Sequence, residues 1–139
     1  MVFALTAISA LPSVVVAQEK DEIEVQVRTI HAKKDGDKVD PKLTDIRETL
    51  GKAFKGYESF KDLGVQTETV THSGSGKFKL PDGTELEVNY KGKSKELLRL
   101  GLGVGEKFKS DVRVSPGGTF FQAGLPYDGG ILIIAITIQ

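Results

Sequence analysis

The segment 131–138, with the sequence ILIIAITI, places the strongest constraint on how this chain folds. If it forms a strand, Ile131, Ile133 and Ala135 lie on one face, and the alternating residues on the other face are equally apolar. A strand with two apolar faces must be covered on both sides, so it belongs inside a sheet rather than at its edge. The segment therefore predicts a layered domain in which one helix covers one face of a sheet and further strands cover the other.

Other segments alternate between apolar and polar residues with a period of two, which is typical of half-buried strands. Residues 22–30 and 96–104 show the pattern, and 107–115 show it more weakly. Residues 77–80 and 84–90 flank Pro-Asp-Gly, which supplies turn chemistry for a hairpin. Together with two extended segments after residue 56, they predict a mostly β, α+β fold: a two-layer sandwich of antiparallel sheets with about seven or eight short strands.

One amphipathic helix is predicted over residues 41–55. Asp40 is a suitable N-cap, and Pro41 fits the first helical position, where a missing N–H has no cost. Gly56 is predicted to end the helix in a left-handed conformation. Apolar residues recur at helical spacing and predict one buried stripe: Leu43, Ile46, Leu50 and Phe54.

The first 18 residues carry no charged side chain and change abruptly to Glu19-Lys20-Asp21. We interpret residues 1–17 as an export signal peptide and residues 18–139 as a single β-rich domain. An uncleaved anchor or a buried element remains an alternative, because no Lys or Arg precedes the apolar run. The chain has no cysteine, which favours the periplasm or outer surface of a Gram-negative bacterium over a eukaryotic secretory route.

Composition and motifs supply little chemistry. Lys and Arg together number 19 and so do Asp and Glu, which argues against nucleic-acid binding. The run Gly101-Leu102-Gly103-Val104-Gly105 lacks the spacing of a dinucleotide-binding loop, and we interpret its glycines as easing a twisted or bulged strand. The histidines, His31 and His72, end two strands and would meet only if those strands place them together. We predict no catalytic residue, no cofactor site and no metal site.

Apolar side chains beside a glycine-rich loop are the best candidates for contact with a partner. Phe120 and Phe121 point to opposite faces of a strand, so a single core accepts only one of them easily. The segment 124–130 is predicted to be a loop that brings Leu125 and Tyr127 near the surface. The partner-contact prediction is therefore Phe121, Leu125 and Tyr127, with burial of both phenylalanines between two layers as the alternative.

Much of the chain resembles a group of small uncharacterised exported proteins of myxobacteria and related Gram-negative bacteria. The resemblance lies in segments 54–63, 80–88 (LPDGTELEV), 112–114, 119–124 (TFFQAG) and 131–136. It implies export and a β-rich fold, and it implies no activity. A weaker similarity, in the order of strand, helix and glycine-turn hairpin, is to periplasmic domains of secretin-type channels, whose pore motifs are absent.

From these observations we expect a non-catalytic exported cell-envelope protein that acts through protein–protein contacts, as an accessory subunit of a larger assembly. Its partner would be a protein of the cell envelope. Membrane association would arise only through that partner or an uncleaved N-terminus. The alternative is a periplasmic carrier that binds a small ligand or a metal in a cavity between sheet and helix.

Overall fold

Eight strands form two four-stranded antiparallel sheets in the computed structural model, which describes residues 21–139. The first sheet has the strand order β2-β1-β8-β7 and the second has the order β3-β4-β5-β6. This confirms the predicted mostly β, α+β sandwich. The strands are β1 (Glu22–Lys33), β2 (Ser59–Thr71), β3 (Ser75–Lys79), β4 (Glu85–Ser94), β5 (Leu97–Val104), β6 (Phe108–Val114), β7 (Thr119–Tyr127) and β8 (Gly130–Ile138).

The position of β8 agrees with the prediction from its sequence. It lies between β1 and β7, so both of its edges are hydrogen-bonded. Leu132, Ile134 and Ile136 face the second sheet, whereas Ile133 and Ala135 face the helical side. Both faces are covered, because apolar side chains on both faces of a strand need partners on both sides.

The core between the sheets is built from alternating residues of facing strands. On β4 the inward residues are Leu86, Val88 and Tyr90, all without exposed surface. On β5 every second residue from Leu98 to Val104 is buried in the same way. This period-two burial leaves the intervening residues of both strands on the outer face of the second sheet.

The helical segment is shorter than predicted. Instead of one helix over 41–55, there is a 3-10 turn (Pro41–Leu43) and a separate helix α1 (Arg47–Ala53). The interruption begins at Thr44, whose Oγ1 donates to the Pro41 carbonyl at 2.6 Å. It continues at Asp45, whose carboxylate pairs with Arg28 of β1 at 3.1 Å. The Thr44 hydroxyl thus bonds to a backbone carbonyl, a local contact by which short polar side chains compete with a regular helix.

The start and the buried side of the helical segment agree with the sequence. The Asp40 carboxylate accepts from the Lys42 N–H at 3.0 Å, and this hydrogen bond, with a second from Asp62, holds the pKa of Asp40 below its ordinary value. The predicted end is wrong: α1 ends at Ala53 with Phe54 as its C-cap, and Gly56, with a φ of 95°, lies in the turn that follows. Leu43 and Leu50 are fully buried against the first sheet, which therefore has a covered outer face.

Two segments predicted to be separate strands form one long strand, β2. A bulge at Leu63 and Gly64 replaces the predicted break: Thr29 pairs with Gly64 and the next residue, Ile30, pairs with Asp62. Gly64 has a φ of 131°, and its N–H donates to the Asp62 carboxylate at 2.7 Å. The glycine thus kinks the strand without ending it, because a bulge inserts one residue while pairing continues on either side.

Candidate functional site

The outer face of the second sheet is exposed to solvent and mostly charged. The outward side chains of β3 and β4 include Lys77, Glu85 and Glu87, all exposed. The outward positions of β5 differ, because two of them are glycines, Gly101 and Gly103. A sheet face without side chains along its inner strand has a depression there.

That depression has a volume of about 850 Å³. We call it the glycine trough. It is defined by Glu85 and Glu87 of β4, Gly101 and Gly103 of β5, Lys107 just before β6 and Lys109 on β6. Register places Gly103 between Glu87 and Lys109. Since β4 and β6 are two strand spacings apart, the acidic and basic walls are about 10 Å apart at the backbone.

An ion pair closes one end of the glycine trough. Lys91 Nζ lies 2.6 Å from Asp111 Oδ1, and the hydrogen bond and charge of Lys91 lower the pKa of Asp111. The bridge passes over Gly101, where an added Cβ would lie 3.1 Å from Lys91 Cε and 3.5 Å from the Asp111 carboxylate. Gly101 is therefore explained by its neighbours, which occupy the space that a side chain would need.

Gly103 has no such explanation. A Cβ there would meet the Phe108 carbonyl at 3.8 Å and Lys109 Cγ at 3.9 Å, which are ordinary contacts, and its φ lies outside the left-handed region. Glycine inside a strand costs roughly 0.5–1 kcal/mol relative to alanine. The fold tolerates a side chain at Gly103, so the effect of the glycine is to keep the trough empty.

A second polar cluster joins the start of β1 to β4. The Tyr90 hydroxyl donates to Asp21 Oδ1 at 2.7 Å, and His72 Nδ1 lies 3.5 Å from the other carboxylate oxygen. Burial, together with this hydrogen bond and the negative charge of Asp21, raises the pKa of Tyr90 to about 12. The hydrogen bond between the neutral Tyr90 phenol and the Asp21 carboxylate is a structural contact that holds Asp21 against the second sheet.

The two histidines do not meet. Strands β1 and β2, which carry or precede the two histidines, do pair with each other, but they are antiparallel. His31 lies opposite Lys61, whereas Thr71, the residue before His72, lies opposite Glu22. His31 and His72 therefore lie at opposite ends of the sheet. Among residues 21–139, no three His, Cys, Asp or Glu side chains are grouped closely enough to hold a metal ion.

The predicted contact residues do not form one exposed surface. The loop predicted for 124–130 is wrong, because β7 continues to Tyr127 through a bulge at Gly124 and pairs with β8. Leu125 is consequently buried, at 8% exposure, in the core between the sheets. Its burial follows from pairing with β8, which turns the side chain toward the second sheet.

Phe121 and Tyr127 are each held by a neighbour. Phe121 packs edge-to-face on Phe54, with ring centroids 6.1 Å apart, on the helical side of the first sheet. The Tyr127 ring contacts His31 edge-on at 5.1 Å, and its carbonyl accepts from His31 Nε2 at 2.9 Å. Phe120 is half-buried on the other face of the sheet, so each phenylalanine packs against a different layer and neither is fully buried.

The glycine trough was not predicted from the sequence, although the residue pattern of β5 contains a signal for it. Leu98, Leu100 and Leu102 face inward at a period of two, so Gly101 and Gly103 must face outward on the same strand. Glycines that ease a twist need not alternate in phase with the core residues. Glycines that alternate with the buried leucines indicate instead that the outward face of the strand lacks side chains.

Comparisons with known proteins identify no relative: the chain matches no family model, no curated protein and no solved structure. Across residues 21–139, no helix has the length and hydropathy that crossing a bilayer requires. The predicted export signal, residues 1–17, lies outside the described residues.

Proposed function

We propose that this protein is a non-catalytic exported protein of the cell envelope that binds a partner protein through the glycine trough, as an accessory subunit of a larger assembly. The observation that carries the proposal is Gly103. A glycine that the fold does not require keeps open a depression of about 850 Å³ on an exposed sheet face. A surface kept free of side chains at a cost in stability favours contact with another molecule.

The shape of the trough favours a protein segment over a small molecule. A small-molecule site is concave, mostly apolar and able to bury most of its ligand. The glycine trough is shallow and bordered by charged side chains of both signs, Glu87 on one wall and Lys109 on the other. Such walls suit a polar polypeptide segment lying along β5.

The alternative, a carrier with a cavity between sheet and helix, has less support. Leu43 and Leu50 are fully buried there and pack against Ile133 and Ala135. The depression beside the helical segment, about 230 Å³ and lined in part by Arg28 and Asp45, is open to solvent. A carrier would need those leucines to give way to its ligand.

Photo-crosslinking in the source cell tests the proposal. A photoreactive residue at Lys109 should give one discrete crosslinked protein, and the same residue at Thr67, on the exposed part of β2, should give none. The substitution Gly103→Thr should remove the crosslink. The matched control is Gly51→Thr on α1, which also has open space around its Cβ.

Crosslinks of equal yield from both positions, or a crosslink that survives Gly103→Thr, would contradict the role of the trough. Export is tested separately, by fractionating cells that express the full chain and sequencing the N-terminus of the recovered protein. Recovery in the cytosol with residues 1–17 intact would contradict the export part of the proposal alone.

A further inference from the structure

Two arginines lie directly opposite each other beyond the closed end of the glycine trough. Register pairs Arg99 of β5 with Arg113 of β6, and both side chains are exposed on the outer face of the second sheet. Directly opposed residues on antiparallel strands have Cβ atoms only ~4.5–5.5 Å apart, so like charges there destabilise the pair. The free protein therefore holds two guanidinium groups in an unfavourable arrangement.

Among the described residues, no carboxylate forms an ion pair with either arginine. The pKa of nearby Asp111 is nevertheless lowered by Lys91 and, to a smaller extent, by the charge of Arg99. Asp111 is the acidic residue at this place, and its Oδ1 is already engaged by Lys91 at 2.6 Å. Lys91, Arg99 and Arg113 therefore lie around the Asp111 carboxylate, which is already paired with Lys91.

The arginines border a depression with room for a ligand. It has a volume of about 240 Å³, and its lining includes Lys91, Arg99, Asp111 and Arg113. Lys91 and Asp111 also line the end of the glycine trough, so the two depressions adjoin across their ion pair. A ligand that follows β5 from the trough reaches the arginines next.

The charge of the whole face agrees with an acidic ligand. The outward basic side chains of the second sheet are Lys77, Lys79, Lys91, Arg99, Lys109 and Arg113. The outward acidic ones on the same strands are fewer, namely Glu85, Glu87 and Asp111. The face is thus basic on a chain whose total charge is zero, so the remaining surface is acidic by the same amount.

From this geometry we infer that Arg99 and Arg113 together bind a carboxylate of an acidic, extended segment of the partner protein. The inference rests on the proposed function and specifies the partner's chemistry. A guanidinium presents a fork of donors that matches a carboxylate, and two guanidiniums hold both of its oxygens. The rest of the segment lies along the trough, where the missing side chain at Gly103 lets a backbone approach the sheet.

The test uses the full chain, labelled with ¹⁵N, and a hexaglutamate peptide as the probe. The peptide should shift the amide signals of Arg99, Gly101 and Arg113, and a hexaserine peptide should not. In the double variant Arg99→Gln/Arg113→Gln, the dissociation constant for hexaglutamate should rise by about tenfold or more, as expected for the loss of charge-assisted hydrogen bonds. The variant should unfold at the same temperature as the parent or a higher one.

The matched control removes two charges elsewhere: Arg47→Gln/Lys55→Gln changes exposed residues at and after α1 and should leave the affinity unchanged. Equal weakening in both double variants would overturn the inference, because it would mean attraction to net charge alone. Inorganic phosphate that shifts the same amides and competes with the peptide at equal concentration would also overturn it, as a site for any small anion.

The crosslinking experiment separates this inference from the proposed function. Loss of the partner crosslink in Gly103→Thr with full retention in Arg99→Gln/Arg113→Gln would overturn the arginine site and leave the trough contact standing. Loss in both variants supports both. Retention in both overturns both.

Discussion

The outer faces of the two sheets have opposite characters. On the first sheet, Ile133 and Ala135 face outward and are covered by Leu43 and Leu50 of the helical segment. On the second sheet, the corresponding inner strand β5 turns Gly101 and Gly103 outward, between charged neighbours. The same strand architecture therefore carries one face that contributes to stability and one that is free to bind, and the outward residues of a single inner strand make the difference.

The largest effect is expected where the comparison is most direct, in two leucine-to-alanine substitutions. Leu50→Ala removes a fully buried side chain from the covered face and should lower the free energy of unfolding by about 2–5 kcal/mol. Leu97→Ala changes an exposed leucine of the second sheet and should stay within about 0.5 kcal/mol. Urea unfolding of the full chain measures both. Similar losses would mean that the second sheet's outer face also supports the fold.

The inner face of the second sheet should be as sensitive as a core, in contrast to its outer face. Tyr90→Phe removes the hydrogen bond to Asp21 and should cost about 1 kcal/mol at neutral pH. The folded-state pKa of Tyr90 is raised to about 12, so the unfolded chain loses this proton first as pH rises. Stability should therefore fall between about pH 10 and pH 12.

The loss of stability at alkaline pH should be smaller in Tyr90→Phe. Tyr57→Phe, which changes a tyrosine on the helical side, should retain the full loss. Thermal unfolding measured at intervals from about pH 7 to pH 12 gives the comparison. An unchanged loss in Tyr90→Phe would show that other groups account for it.

Threonine at the two outward glycines should separate a structural glycine from a binding one. Gly103→Thr should be neutral or stabilising by up to about 1 kcal/mol, because the site has room and glycine weakens a strand. Gly101→Thr should have the lower melting temperature of the two, because its Cβ displaces the Lys91–Asp111 ion pair. A lower melting temperature for Gly103→Thr than for Gly101→Thr would contradict the description of the trough.

The smallest effect concerns the arginine pair. Arg99→Gln should raise the free energy of unfolding by a few tenths of a kcal/mol in low salt, because it removes like charges that face each other. The gain should fade at about 1 M salt, where screening acts within ~3 Å. Lys55→Gln, at an exposed residue after α1, serves as the comparison, and no gain is expected there.

The features that the sequence predicted correctly depend on neighbours close along the chain. The apolar 131–138 segment implied a strand covered on both faces, and β8 is one. The Pro81-Asp82-Gly83 turn was readable because its geometry depends on those residues themselves, with Gly83 at a φ of 87°.

The features that the sequence did not predict depend on residues far along the chain. The helix divides where Asp45 pairs with Arg28, a contact across 17 positions. Leu125 is buried because β7 pairs with β8 through its bulge, whereas the local glycines and proline indicated a loop. The histidines lie apart because strand direction, which the residues around them do not encode, is antiparallel.

For this protein, the pattern of apolar and polar side chains along each segment was enough to predict most of the strands, the doubly covered β8 and the class of fold, because strand periodicity is a local property of the backbone. Sheet order and register established the rest: an empty strip between Glu87 and Lys109, and two arginines facing each other across β5 and β6. These features exist only once three strands lie side by side, because each arises from the spacing between strands rather than from any single segment.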